Sequence, residues 1–296
     1  EVRVGIQCHG QGSETTLAQV AKEILGIDIE TIQISHGDTG LSPYSTGTWG
    51  SRVMVMAGGA VAVACEKLRE RIRTIGAHLL QADLDQIEVK DGQVVAPSGQ
   101  IPIAEIARTW YRRPQDLPLD VDPQGLEITA GYKADRDDGT FSYAAHAAVV
   151  AVEPDSGNVE ILDYIIVEDG GVLINPMIVD GQVLGGAAQG IGTALYEEMP
   201  FDENGQPLAS TLADYLLPGA TEVPDIQIEH METPSPYSYF GQKGIGEGGA
   251  IGSVAAICNA VNDALRKLGA EVRTTPMTPV RILAAIETAT SATKVV

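Results

Sequence analysis

Apolar and polar positions alternate along residues 2–8 and predict a strand, which runs into a glycine-bracketed turn, Gly10-Gln11-Gly12. The period then changes. Leu17, Val20, Ala21, Ile24 and Leu25 recur at helical spacing and predict a helix over 13–25, with Gly26 as its C-cap. A short strand over 32–35 leads into a loop, 36–50, rich in Gly, Ser, Thr, Pro and Tyr. A long helix follows over 54–81, small and apolar in its first half and charged through 66–73. Residues 87–95 predict a hairpin about Asp91-Gly92, an Asp-Gly turn signal. The Pro- and Asp-rich stretch 114–125 is the linker candidate.

Beyond it, strands over 143–153 and 159–168 flank the turn Pro154-Asp155-Ser156-Gly157 and predict a second hairpin. Asp137-Asp138 before them reads as a solvated turn, and Asn175-Pro176 marks another turn. A small-residue helix over 179–196 carries glycines on one face and suits close packing. A turn over 202–205, a strand over 226–231 and a Pro-, Tyr- and Gly-rich loop over 233–249 come next. A buried helix over 250–268 and a short one over 280–288 close the chain. Strands and helices mix without regular βαβ alternation, so the fold class is α+β, divided into lobes at 1–125 and 126–296.

Composition narrows the function. With 296 residues, 44% hydrophobic and 20% charged, the chain can bury a sizeable core and is not of disordered type. Its 19 basic and 40 acidic residues leave a net charge of −21, a field that repels nucleic acid and anionic membrane. No apolar run is long enough to span a bilayer. The first residues are neither basic nor followed by an apolar core, so no signal peptide is expected, and the cytoplasm is the expected compartment. Cys8, Cys65 and Cys258 are far apart, and the histidines form no HExxH, so no His/Cys metal cluster is expected.

Three glycine loops precede helices: Cys8 to Thr16, Thr46 to Arg52, and Gly244 to Gly252. Backbone N–H groups at a helix start favour an anion. The second loop adds hydroxyls and the Arg52 guanidinium, a set suited to phosphate. The third loop lacks the preceding strand of a dinucleotide fingerprint, and no GKS or GKT occurs. Glu247 sits among glycines at a helix start. It is either a carboxylate beside the positive helix end or a base in a confined site. Trp49 is a cofactor shield or core, and His9 a ligand contact or structural. Lys243 meets an anion or solvent, and His146 is a structural histidine in a strand. Tyr237, Tyr239 and Phe240 line a pocket or pack.

Gly10-Gln11-Gly12 with Glu14-Thr15-Thr16 and Ala18-Gln19 resembles the GQG-x-ETT-x-AQ segment of the xanthine dehydrogenase and aldehyde oxidase family, which includes bacterial carbon monoxide dehydrogenases. His36-Gly37-Asp38-Thr39, Pro43-Tyr44 and Gly50-Ser51-Arg52 follow in the family's order. So do Asn175-Pro176, Gly181-Gln182-Val183 with Gly186 and Gln189-Gly190, Thr233-Pro234-Ser235-Pro236, and Lys243-Gly244-Ile245-Gly246-Glu247. The matches run over nearly the whole chain and resemble the C-terminal half of the molybdopterin-binding subunit. Nothing resembles the family's earlier half. The split medium subunit of nicotinate-dehydrogenase-like enzymes is one form such a chain takes.

The resemblance implies a molybdenum–molybdopterin cofactor in its cytosine dinucleotide form, the metal held by dithiolene sulfurs and not by side chains. It places Gln11, between Gly10 and Gly12, and Glu247, after Gly246, near the molybdenum. Gly50, Ser51 and Arg52 hold the phosphate or dinucleotide part, and Gln189 contacts the pterin. Glu247 matches the catalytic glutamate. The implied reaction is oxidation of an aldehyde or N-heteroaromatic substrate with oxygen from water. Electrons leave through 2Fe-2S clusters and FAD on partner subunits, and a further chain supplies the missing first half. The alternative is a non-catalytic assembly subunit that retains the fold.

Overall fold

A computed structural model describes residues 1–136 and 140–293, so the Asp137-Asp138 turn lies outside the described residues. The chain forms two compact units: Glu1–Thr140 with Pro234–Lys243, and Phe141–Thr233 with Gly244–Val296. The expected lobe boundary at 125/126 falls inside the first unit.

In the first unit, β1 (Val2–Arg3) pairs in parallel with β2 (Ile34–Ser35). The strand expected over 2–8 is shorter than its pattern. Val4 and Ile6 are buried, and Gly37 N still donates to Ile6 O at 3.0 Å, but regular pairing ends at Arg3. Helix α1 (Ser13–Leu25) buries the predicted stripe and stops at Gly26, whose φ of 61° is left-handed. Helix α2 (Val53–Leu80) buries Gly58, Gly59, Val61 and Ala62 in its small half and Ile72 and Ile75 in its charged half.

The Asp91-Gly92 hairpin joins β3 (Glu88–Lys90) to β4 (Gln93–Ala96), with both turn residues at positive φ, 50° and 72°. A third strand, β5 (Gly99–Pro102), and a helix, α3 (Ile103–Arg112), follow; neither is among the expected elements. Ile72, Ile75, Ile87, Val89, Val94 and Ile106 form a core. The linker candidate 114–125 packs on that core through Leu117 and Val121, and the Arg71 guanidinium holds the Gly125 carbonyl and the Asp122 carboxylate. Its composition reads as a connector, but those apolar and charged anchors make it part of the unit.

In the second unit, β6 (Tyr143–Val152) and β7 (Val159–Asp169) form the predicted hairpin, irregular at Val149/Val150. β8 (Ile226–Met231) joins β7 in parallel, giving a mixed sheet in the order β6-β7-β8. Helix α4 (Pro176–Leu195) starts three residues before its apolar pattern. Asn175 caps it, accepting from Ile178 N at 3.1 Å, and Pro176 occupies the first turn. Helix α5 (Gly248–Leu265) packs on α4 and on β6, and α6 (Pro279–Thr293) runs longer than its pattern. Tyr164, Ile166, Val183, Ile191, Ile257, Val261 and Leu265 form this unit's core. Among the described residues no helix is long and apolar enough to cross a membrane.

Candidate functional site

In the first unit, the turn before α1 is tied down by its own amide. Gln11 Oε1 accepts from His9 N at 2.7 Å, and Gln11 Nε2 donates to Gln7 O at 3.4 Å. Gln7 also stitches this turn to the loop before α2: its N–H donates to Thr48 Oγ1 at 3.0 Å, and that hydroxyl donates to Gln7 O at 2.7 Å. Two of the glycine loops singled out in the sequence are therefore neighbours. Neither helix start carries a side-chain cap: Gly12 and Arg52 stand at the cap positions of α1 and α2. Space is open where a side chain would begin at Gly10, Gly47 and Gly50, and Ser51 holds a left-handed φ of 57°. The Arg52 guanidinium lies 4.9 Å from the Trp49 ring centroid. Trp49 is 56% exposed, which removes the core reading.

Tyr237, Tyr239 and Phe240 pack within the same unit. Tyr239 lies edge-on to Phe240 at 4.6 Å and to Tyr132 at 6.2 Å, and burial with the Glu66 contact pushes its hydroxyl up to about 12. Gln242, unremarked in the sequence, is buried and locks this loop. Its Oε1 accepts from Phe240 N at 2.8 Å, and its Nε2 donates to Met54 O at 3.1 Å.

In the second unit, Glu247 stands at the cap position of α5 with its side chain exposed, and its carboxylate makes no capping bond to the helix. What places it is the contact of α5 with α4. A Cβ on Gly249 would lie 2.3 Å from Val183 O, and one on Gly186 would lie 2.8 Å from Ala250 N. Only glycine allows backbones this close. Gly246 beside it is exposed. Gln189, on α4, gives its Nε2 to both Glu197 oxygens at 3.1 and 3.2 Å, and the Tyr215 hydroxyl donates to the same carboxylate.

Sequence reasoning also missed two buried carboxylates at the end of β7. Asp169 accepts from Gly171 N at 2.8 Å, Thr233 N at 3.1 Å and the Tyr143 hydroxyl at 2.8 Å, pinning two loops to the sheet. Glu168, raised above the usual carboxylate range by burial, meets His230 Nδ1 at 3.1 Å, and His230 Nε2 meets Asp180 Oδ1 at 2.7 Å. His146, expected as a satisfied structural histidine, is only half satisfied: its Nδ1 bonds the Tyr164 hydroxyl at 3.0 Å, and its buried Nε2 has no partner among the described residues.

No His/Cys cluster is expected from the sequence, but at one place the fold brings such side chains together. Ligand atoms of Cys8, Glu14 and His36 all lie within 4.8 Å of one another. The parallel pairing of β1 with β2 brings His36 beside the turn, and no local spacing signals it.

The sequence profile of the molybdopterin cofactor-binding domain matches residues 1–224. The chain belongs to this family. A relative in the family resemblance drawn above, the nicotine 6-hydroxylase large subunit of Paenarthrobacter nicotinovorans, is 38% identical over 284 residues, 95% of this chain and 34% of its own. The carbon monoxide dehydrogenase large chain of Hydrogenophaga pseudoflava is 37% identical over the same shares. The crystal structure of quinoline 2-oxidoreductase from Pseudomonas putida 86 superposes with a TM-score of 0.86 at 40% identity, covering 95% of this chain and 36% of that one. The chain thus spans about a third of the length of the relatives it matches, and the α+β class agrees with them.

The residues of this molybdopterin cofactor-binding domain fit the group the family is named for. The uncapped N–H groups of α1 and α2 and the Arg52 cation are donors of the kind a phosphate accepts, and the space over Gly10, Gly47 and Gly50 is open.

Proposed function

We propose that this chain is the C-terminal part of the molybdopterin-binding subunit of a multi-subunit molybdenum hydroxylase. The observation that carries the reading is the joining of the two glycine loops through Gln7 and Thr48, which makes one donor surface of two motifs far apart in sequence. Gly10, Gln11, Gly12, Gly50, Ser51 and Arg52 are its cofactor-holding residues, and Gln189 and Gly246 serve the same group. The cofactor is the cytosine dinucleotide form. When bound, the group would take the hydrogen of the substrate C–H bond together with its two electrons.

Glu247 takes up the proton released as water-derived oxygen bonds to that carbon. The closely packed backbone at Gly249 and Gly186 fixes the head of the helix that carries it. The substrate is an N-heteroaromatic ring or an aldehyde; the names nicotine 6-hydroxylase and quinoline 2-oxidoreductase favour the ring. The partners are a chain or segment carrying the first half of the subunit, a 2Fe-2S subunit and an FAD subunit, assembled in the cytoplasm. The name of one relative, a dehydrogenase complex subunit gamma, supports such an assembly.

Glu247→Gln in the isolated complex tests the reading. Turnover should fall by roughly 10²–10⁴-fold, the usual worth of a positioned base, with molybdenum content unchanged. Turnover like the wild type refutes the assignment. A complex of full partner occupancy but free of molybdenum would instead make this an assembly subunit.

A further inference from the structure

We propose that Cys8, Glu14 and His36 form a binding site for an exchangeable divalent zinc-type cation held by protein side chains. The three side chains come from the end of the extended N-terminal segment, the first turn of α1 and the residue after β2. Gly37 N donates to Ile6 O at 3.0 Å, which ties the residue after His36 to the segment that leads into Cys8.

Their ligand atoms lie within 4.8 Å of one another, with His36 Nε2 2.9 Å from Glu14 Oε1. Ordinary zinc bond lengths of roughly 2.0–2.3 Å hold tetrahedral ligand atoms about 3.3–3.7 Å apart. A cation therefore needs the His36–Glu14 hydrogen bond to open by a few tenths of an ångström and the Cys8 sulfur, within 4.8 Å of the other two ligand atoms, to draw in by up to about 1 Å.

The donor chemistry selects the ion. Magnesium and calcium take oxygen ligands, whereas a sulfur, an imidazole nitrogen and one carboxylate suit zinc. The Glu14 carboxylate faces both the Cys8 thiol and the His36 ring, so the anionic ligand is already oriented toward the other two. Binding then displaces the thiol proton and the imidazole Nε2 proton to solvent or to Nδ1. The Glu14 side chain is 49% exposed and gives the cation a path in, while that of His36 is 14% exposed.

Two features make the site exchangeable and not a permanent structural clamp. Three ligands leave a coordination position to water. His36 Nδ1 is buried with no hydrogen-bond partner among the described residues, so the carbonyl or carboxylate that ordinarily steadies a metal-bound histidine is missing.

The test strips the purified full chain with a chelator and titrates it with zinc by calorimetry and with cobalt(II) by absorption. Molybdenum is measured on the same preparation, so that failure of this site and failure of the cofactor reading are told apart. A single saturable equivalent is expected, with a thiolate-to-cobalt charge-transfer band. Cys8→Ser and His36→Gln should each weaken binding by at least roughly 10–100-fold, the cost known for losing even an outer partner of a metal ligand. Circular dichroism reports whether each variant folds. If Cys8→Ser does not fold, the charge-transfer band of the wild type and the His36→Gln titration decide. No saturable binding, a cobalt spectrum without the thiolate band, or affinity unchanged in the folded variants overturns the proposal.

Discussion

Alanine at Gly249 should force α5 away from α4. The added Cβ would sit 2.3 Å from Val183 O and 3.1 Å from Ala187 N. Both neighbours are backbone atoms of fully buried α4 residues, so no side-chain rotation relieves the clash. Overpacking of this kind costs about 1–3 kcal/mol. Replacing glycine within a helix recovers roughly 0.5–1 kcal/mol of conformational entropy. Because the clash is with backbone that no rotamer can relieve, the cost falls in the upper half of that range, and the net loss is about 1–2.5 kcal/mol, which lowers the melting temperature by roughly 2–10 °C for a unit of this size.

Gly185→Ala is the matched control. It lies in α4, is exposed, and has nothing within 4 Å of where its Cβ would begin. The same entropy gain should leave that variant as stable as the wild type or slightly more so. Thermal unfolding followed by circular dichroism reads both. Because Gly249 is two residues from Glu247, turnover of the complex should fall further than its molybdenum content. If Gly249→Ala melts at or above the wild type, close backbone packing does not set the head of α5.

Two further outcomes follow from buried groups. Burial, opposed in part by His230, raises the Glu168 carboxyl above its ordinary 4.5. The folded state then binds this proton more tightly than the unfolded one, so its stabilising contribution is full below the ordinary value and is lost as pH rises through the raised one. Glu168→Gln should flatten the fall in melting temperature across that window, and parallel pH profiles would contradict the account. Burial pushes the Cys65 thiol up to about 11. Alkylation near neutral pH, read by mass spectrometry, should spare Cys65 in the native chain and label it after denaturation; rapid native labelling would show that the α1–α2 packing opens.

Much of the local structure was legible. The stripe of α1, its Gly26 stop, the Asp91-Gly92 hairpin and the β6–β7 pair each rest on a short-range pattern, and each is where it was expected. Helix α3 is not legible in the pattern although Ile103, Ile106 and Trp110 share its inner face, because its run is short and follows directly on Pro102. Residues 114–125 were misread because Pro and Asp signal a loop whether or not that loop packs.

The candidate site divides in the same way. The motifs placed Gln11, Arg52 and Glu247 at helix starts, since a glycine turn before an apolar stripe is a local signal. The amide of Gln189 is engaged by Glu197, which no motif announces. The sequence by itself determined the family, the helices and hairpins, and the loops that present donors. Only the tertiary structure decided that Thr48 clasps Gln7, that 234–243 return to the first unit through Gln242 and Met54, and that Cys8, Glu14 and His36 meet. The physical reason is range. Periodicity and turn chemistry act over a few residues, whereas these contacts join segments brought together only when the core closes.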